Sequence, residues 1–208
     1  MKSLRKSIMK TGVLTYLFMF MFNGVFSQAF DDGTNLVTIG FGLPPAKNIT
    51  QDFDTKTHYT DYHLKNFGTI ILKYEHGLHK YFGLGLNLEY SGSSVNYKYG
   101  ILNSDSLKYQ IAIKSNVFGA FVRLNGHLPV GEKLDFYAGV GLGYKLTLYN
   151  YMDTNPNTAQ DVQHKSSNFD FAFQGTVGAR YMVKESVGLF IEAGFATTIC
   201  QLGVVMKF

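Results

Sequence analysis

The stretch YFGLGLNLEYS, residues 81–91, decides the fold, because apolar and polar side chains alternate along it. Large apolar side chains occupy every second position: Phe82, Leu84, Leu86, Leu88 and Tyr90. The positions between them hold mainly glycine and polar residues. Successive side chains of a β-strand point to opposite faces, whereas a helix repeats every ~3.6 residues. The stretch therefore predicts a strand with one apolar face and one small or polar face.

The same alternation returns in seven other stretches, so the sequence predicts an all-β protein with eight strands. These stretches are residues 34–43, 67–76, 115–125, 133–149, 168–181, 187–197 and 201–208. Most of them contain at least the roughly 9–11 residues with which a tilted strand crosses a bilayer. After residue 27 no apolar run reaches the ~18 residues of a membrane-spanning helix, so helical spans are excluded.

The connections between these strands alternate between long and short. Long polar connections are predicted at residues 44–66, 92–110 and 150–167, and short ones at 77–80, 126–132 and 182–186. The last connection, residues 198–200, is short where a long one is expected. An even strand count with alternating short turns and long outside loops is typical of an antiparallel up-and-down transmembrane β-barrel.

Charge placement indicates which face of the barrel points inward. A soluble eight-stranded barrel of the lipocalin type would place its apolar face inside. Here the polar, glycine-rich faces carry five cations and five anions, which suit a lumen, and the apolar faces suit lipid. Isolated buried charges are costly, so we expect these residues to pair in a network that fills the lumen. The expected lumen charges are Lys73, Glu75, Glu89, Arg123, Asp135, Lys145, Asp170, Arg180, Glu192 and Lys207.

The first residues have the organisation of a secretory signal peptide. Residues 1–10 contain four basic residues and no acid, and residues 11–22 are uncharged and mostly apolar. We predict a signal peptide at 1–27 and a barrel domain at 28–208, with cleavage after Ser27 or, as the alternative, after Ala29. The formal charge of +4 then leaves with the signal, because the remaining chain has 15 basic and 15 acidic residues. Nucleic acid is therefore not expected as a partner.

The chain ends on Phe208, the last residue of a strand whose apolar face also carries Val204 and Met206. This ending resembles the C-terminal strand of Gram-negative outer-membrane proteins, in which a terminal aromatic residue is read by the outer-membrane insertion machinery. Together with the signal and the eight strands, it resembles the small outer-membrane barrel family typified by OmpA and OmpX, over residues 34–208. The resemblance implies an outer-membrane location and contact with membrane lipid and lipopolysaccharide.

The leading functional hypothesis is a non-enzymatic barrel that contributes to envelope structure or binds a protein or glycan through its long loops. Tyr, Asn and Ser, which are frequent in these loops, suit adaptable contacts. A narrow porin-like channel for small solutes is the first alternative. A lipid-modifying enzyme is the second, because His164 and Ser166 loosely resemble the His-x-Ser-Asn stretch of the outer-membrane lipid A deacylase.

No cofactor, metal site or catalytic site is expected elsewhere in the chain. His58 and His63 share the first long loop, but no third ligand follows at a clear spacing. His76, His79 and His127 are interpreted as residues of solvated turns. Cys200 is the single cysteine, which excludes an internal disulfide, and is expected to face lipid or a neighbouring strand.

Overall fold

The computed structural model describes residues 29–43, 59–100, 108–154, 163–195 and 197–208. These residues form eight β-strands, as the alternation predicts. The strands are β1 (Asn35–Leu43), β2 (Tyr59–His79), β3 (Phe82–Gly100), β4 (Lys108–Val130), β5 (Leu134–Asp153), β6 (Gln163–Lys184), β7 (Val187–Phe195) and β8 (Cys200–Lys207). Across the described ranges, no helix is long and apolar enough to cross a membrane.

The eight strands close into a single antiparallel barrel, which confirms the predicted fold class. Each strand pairs with its neighbours in sequence, and β1 pairs with β8 from Leu36 opposite Lys207 to Leu43 opposite Cys200. The last residue also takes part, because Asn35 and Phe208 exchange backbone hydrogen bonds of 3.1 and 3.0 Å. Closure satisfies the backbone groups that an open sheet would leave at its edges, which is a requirement in a lipid environment.

The three tight turns lie at one end of the barrel, together with the start of β1 and the last residue, Phe208. We call this end the turn end. The turns are residues 80–81, 131–133 and 185–186. Gly131 has φ of +66°, a left-handed conformation that glycine adopts without strain. The predicted turns 77–80, 126–132 and 182–186 were too long, because backbone pairing continues through their polar and glycine residues.

The predicted long loops were wrong over much of their length. Residues 92–100 and 108–110 belong to a continuous hairpin, in which β3 and β4 stay paired as far as Gly100 opposite Lys108. Residues 59–66, 150–153 and 163–167 are likewise strand rather than loop. The alternation of large apolar outward residues stops at these positions although the pairing continues. Sequence periodicity therefore located the end of the apolar band and not the end of the strands.

Because the strands differ in length, the barrel wall is higher on one side than on the other. Strands β1, β7 and β8 contain 9, 9 and 8 residues, whereas β2 to β6 contain between 19 and 23. The five long strands continue past the short ones at the end opposite the turns, which we call the far end. We call this part the extension; it comprises residues 59–66, 92–100, 108–116, 148–153 and 163–167.

Below the extension, the outward face of the barrel is a continuous apolar band. Its side chains are exposed despite their size, as Leu86 at 55%, Leu142 at 54% and Ile191 at 56% illustrate. Among the described residues of the band, no Asp, Glu, Lys or Arg points outward. Such a surface suits lipid, and the apolar face is therefore outside, as predicted.

Aromatic rings concentrate at the far edge of this band. Tyr90 lies 5.0 Å from Phe118, and Tyr144 lies 4.8 Å from Phe169 in a stacked arrangement, both measured between ring centroids. The phenol oxygen of Tyr90 also donates a hydrogen bond of 3.1 Å to Oδ1 of Asn116, which belongs to the extension. Aromatic side chains with one polar end are typical of the boundary between membrane and water.

Candidate functional site: the lumen network

The inward face of each strand carries the residues that fill the lumen. Seven of the ten predicted lumen charges are buried: Lys73, Glu75, Glu89, Arg123, Asp135, Arg180 and Glu192. Lys145 and Lys207 are half-buried. Asp170 departs from the expectation because it is exposed. It lies on β6 beyond Gly175, the residue opposite Phe195, where the neighbouring strand β7 ends and no longer flanks β6.

Glu192 on β7 is the centre of the first cluster. Its Oε1 lies 2.8 Å from Lys73 Nζ and 3.2 Å from Arg123 Nη1, and its Oε2 accepts a bond of 3.4 Å from Arg123 Nη2. Gln201 donates a further bond of 2.5 Å to Oε1. The donors come from β2, β4 and β8, so one carboxylate joins four strands. Two buried cations are thereby neutralised in part by a single buried anion.

A second cluster lies nearer the turn end and joins β2, β4, β5 and β6. The Arg180 guanidinium forms ion pairs with Glu75 and with Asp135, the latter at 3.3 Å. His127 lies between the same two carboxylates, with Nε2 2.8 Å from Glu75 Oε1 and Nδ1 2.9 Å from Asp135 Oδ2. Asn125 connects both clusters, because it donates to Glu75 at 2.6 Å and accepts from Arg123 at 3.2 Å.

His127 was interpreted from sequence as a residue of a solvated turn, and that interpretation was wrong. The side chain is fully buried, because β4 continues to Val130 and His127 has the same strand parity as Arg123. The signal was present in the alternation, which places odd-numbered residues of β4 inward. The sequence interpretation missed the inward position of His127 because it began a turn at residue 126.

A third cluster contains amide side chains that a search for charges alone does not detect. Glu89 Oε1 accepts hydrogen bonds from Asn87 at 2.6 Å and from Gln174 at 2.8 Å. Asn87 also donates to Gln174 Oε1 at 3.1 Å, across the lumen from β3 to β6. No ion pair to Glu89 is present in the part of the chain that the structure describes. Asn87 and Gln174 both lie on inward positions, so strand parity would have identified them.

Large aromatic side chains occupy the space that the inward glycines leave. Phe190 interrupts the polar face of β7 in the sequence, and in the structure it is buried against Gly40, where an added Cβ would lie 2.6 Å from the ring. Lys73 Nζ lies 5.1 Å from the centroid of this ring. Tyr137 fills the lumen in the same way beside Arg180, whose guanidinium carbon lies 4.2 Å from the ring centroid.

The residues considered for catalysis or metal binding differ in their exposure. His164 and Ser166 are exposed on the extension. No group of three or more His, Cys, Asp or Glu residues there is arranged to hold a metal ion. Cys200 is a half-buried free thiol in β8. His58 lies outside the described residues, and His63 is exposed.

The sequence matches the profile of the outer membrane protein beta-barrel domain over residues 16–203. The chain belongs to this family. The expected outer-membrane barrel family is therefore confirmed. In the architecture of such barrels, short turns face the periplasm and the opposite end faces the outside. For this member of the family, the turn end is thus periplasmic and the extension is external.

Solved structures of small outer-membrane proteins are similar to this chain at low sequence identity. Ail of Yersinia pestis, solved with the heparin analogue sucrose octasulfate, has 11% identity and a TM-score of 0.40, covering 85% of this chain and 96% of Ail. OprG of Pseudomonas aeruginosa has 15% identity and a TM-score of 0.48, covering 88% of this chain and 99% of OprG. No curated protein sequence matches the chain.

The three C-terminal residues of the predicted insertion signal lie on the outward face of the barrel. Phe208 and Val204 are exposed on the lipid-facing side, and Met206 is half-buried on the same face. The predicted signal peptide, residues 1–27, and its cleavage after Ser27 lie outside the described residues.

Proposed function

We propose that this protein is a non-enzymatic outer-membrane barrel with a closed lumen, which binds a surface protein or glycan through its external extension. The single observation that carries the proposal is the extension itself. Five strands continue beyond the apolar band on one side of the barrel, although crossing the bilayer needs only about 9–11 residues per strand. A membrane anchor alone has no need of this additional paired structure.

Contacts across the lumen support closure. Arg123 on β4 reaches Glu192 on β7, and Glu75 on β2 reaches Arg180 on β6. An eight-stranded barrel has an interior that side chains are just able to fill, and here charged, amide and aromatic groups from facing walls meet at successive levels. A wide aqueous pore would form only if all these contacts across the lumen broke at the same time.

In the extension the polarity of the two faces is reversed relative to the membrane-spanning part of the barrel. Its inner face carries a compact apolar cluster, in which Val95, Tyr97 and Ile111 are buried and Ile113 and Tyr151 pack against them. Its outer face is mainly polar, with Ser94, Asn96, Lys114, Asn150 and Lys165. The exchange of apolar and polar faces fits a sheet that has left the lipid. A local apolar core also supports a folded platform rather than loose loops.

The extension presents three connecting segments, which are the candidate contact regions. The structure corrects their limits to residues 44–58, 101–107 and 155–162, because the flanking parts of the predicted loops are strand. These segments lie outside the described residues. They retain Asn, Asp, Thr and Ser in their sequences, which suits hydrogen bonding to a protein or a glycan.

Substitution of these segments tests the proposed function. Residues 44–58, 101–107 and 155–162 are replaced by Gly-Ser sequences of equal length, and bacteria displaying either the parent or the substituted form are applied to glycan and extracellular-protein arrays. We expect the parent to bind specific array features and the substituted form to lose them, while both show the heat-dependent gel shift of a folded barrel. Equal binding by both forms, or by bacteria lacking the protein, contradicts a role for these segments.

The membrane-facing contacts form the second part of the proposal. The outward band contacts membrane lipid, and its external half faces the acyl chains of lipopolysaccharide. Phe208, with Met206 and Val204, acts as the signal for the outer-membrane insertion machinery during assembly. The outward exposure of Phe208 at the end of the closing strand supports this role.

A further inference from the structure

The described segment before β1, residues 29–34, packs against the inner side of the barrel at its turn end. Phe30 is fully buried and Ala29 is 1% exposed, although both precede the first strand. We propose that residues 29–34 form a strap that seals the periplasmic mouth of the lumen. This inference rests on the closed lumen of the proposed function and adds the element that closes one end.

Phe30 is the residue of the strap that reaches furthest into the network. Its ring stacks on the imidazole of His127, with 3.5 Å between centroids and 9° between planes. His127 in turn bonds Glu75 and Asp135, so the strap covers the cluster that contains the buried ion pairs of Arg180. A planar apolar ring thereby separates these charges from the mouth.

An apolar layer surrounds the stacked ring. Ala29 and Phe30 form one buried cluster with Leu36 of β1, Met182 of β6 and Val205 of β8. Strands β1 and β8 are paired neighbours, and β6 is separated from β8 only by β7. Burial of a side chain as large as Phe stabilises a contact by about 1.5–3 kcal/mol, which is enough to hold a short segment in place.

Backbone hydrogen bonds fix the strap to β2. Gly33 N donates to Gly77 O at 3.0 Å, and Gly77 N donates to Thr34 O at 2.8 Å. Asp31 N donates to Thr34 Oγ1 at 3.1 Å, which closes a tight turn around Gly33, whose φ is +72°. The turn directs Phe30 back into the lumen instead of away from it.

Gly77 offers a specific way to displace the strap. A Cβ added there would lie 2.4 Å from the Asp31 carbonyl oxygen and 3.3 Å from both Thr34 N and Phe30 Cζ. All three nearest atoms belong to the strap and none belongs to the barrel wall. Gly77→Ala is therefore expected to expel the strap and leave strand pairing intact. Phe30→Ala is a second way to weaken it, through loss of the stacking contact.

Thiol accessibility tests the strap in the folded protein. In a Cys200→Ser background, Ala29→Cys is compared with Asp32→Cys, an exposed position of the same strap. A water-soluble maleimide is applied to the purified barrel, and folding is checked by the gel shift. Because Cys at position 29 reacts only when the strap opens, we expect labelling at least about tenfold slower than at position 32.

Adding Gly77→Ala or Phe30→Ala is expected to bring the two labelling rates within about threefold of each other, since the strap then opens readily. Equal rates without either substitution would overturn the strap. A tenfold difference that persists in the folded proteins carrying Gly77→Ala and in those carrying Phe30→Ala would also overturn the assigned contacts. The outcome is separable from the proposed function, because conductance of the wild type reports lumen closure independently of these labelling rates.

Discussion

Glu192→Gln is the substitution that most directly perturbs the lumen network. The carboxylate of Glu192 contacts Lys73 at 2.8 Å, Arg123 at 3.2 and 3.4 Å, and Gln201 at 2.5 Å. Glutamine has the same shape, but one of its terminal groups is a donor that faces other donors. Lys73 and Arg123 are 8% and 3% exposed, so water does not replace the lost charge.

The expected cost follows from the loss of one partner in a buried ion pair. Removing such a partner destabilises a protein by about 3–5 kcal/mol, because the remaining charge stays buried without compensation. We expect the free energy of unfolding to fall by about this amount in Glu192→Gln. Reversible urea unfolding in lipid vesicles, followed by the gel shift, measures the difference between the variant and the wild type.

Glu132→Gln is the matched control, since it makes the same chemical change at an exposed residue of a periplasmic turn. Exposed substitutions of this kind change stability by about 0.5 kcal/mol or less. If Glu192→Gln lowers the free energy of unfolding by less than about 1 kcal/mol, close to the effect of the control, the reasoning is refuted, because a buried cation without its partner destabilises a protein by more than that.

Three further predictions concern the outward band, assembly and processing. Leu86→Lys places a charge at the middle of the lipid-facing side of β3 and is expected to reduce the folding free energy in vesicles by about 2–4 kcal/mol; a loss no larger than that of Leu86→Ala contradicts a lipid-facing band. Phe208→Ala is expected to lower the amount of folded protein in the outer membrane while the purified protein still refolds in detergent; unchanged amounts in cells argue against an insertion signal. N-terminal sequencing of protein extracted from outer membranes is expected to begin at Gln28, and a start at Phe30 contradicts cleavage after Ser27.

The barrel was predictable because a period of two is a local signal. Leu86 and Asn87 show their opposite environments in the sequence itself, since one face meets lipid and the other meets the lumen. The same rule identifies the inward residues of most strands. Eight such stretches are enough to indicate an even-numbered closed barrel, which the structure confirms.

The extension was not predictable from the same signal because the environment changes along a strand. Val95 and Ile111 are apolar on the inner face, whereas Leu86 and Val122 are apolar on the outer face of the same two strands. The reversal marks the transition from lipid to water. It interrupts the periodicity and resembles the end of a strand in the sequence.

The partners within the lumen depend on how the barrel closes, which no local pattern contains. Glu75 and Arg180 are separated by 105 residues and meet only because β2 and β6 face each other across the lumen. The position of Phe30 is even harder to predict, because a short segment has no periodicity and a single aromatic residue near a predicted cleavage site has no distinctive signature. Composition and parity therefore identify which residues face inward, but not which of them touch.

Single-channel recording of the wild-type protein in planar bilayers tests the closed lumen most directly. The account predicts a baseline without large, long-lived openings, because charged and aromatic side chains meet across the lumen and Phe30 covers its periplasmic mouth. Large, stable openings from the purified, folded wild type would contradict it.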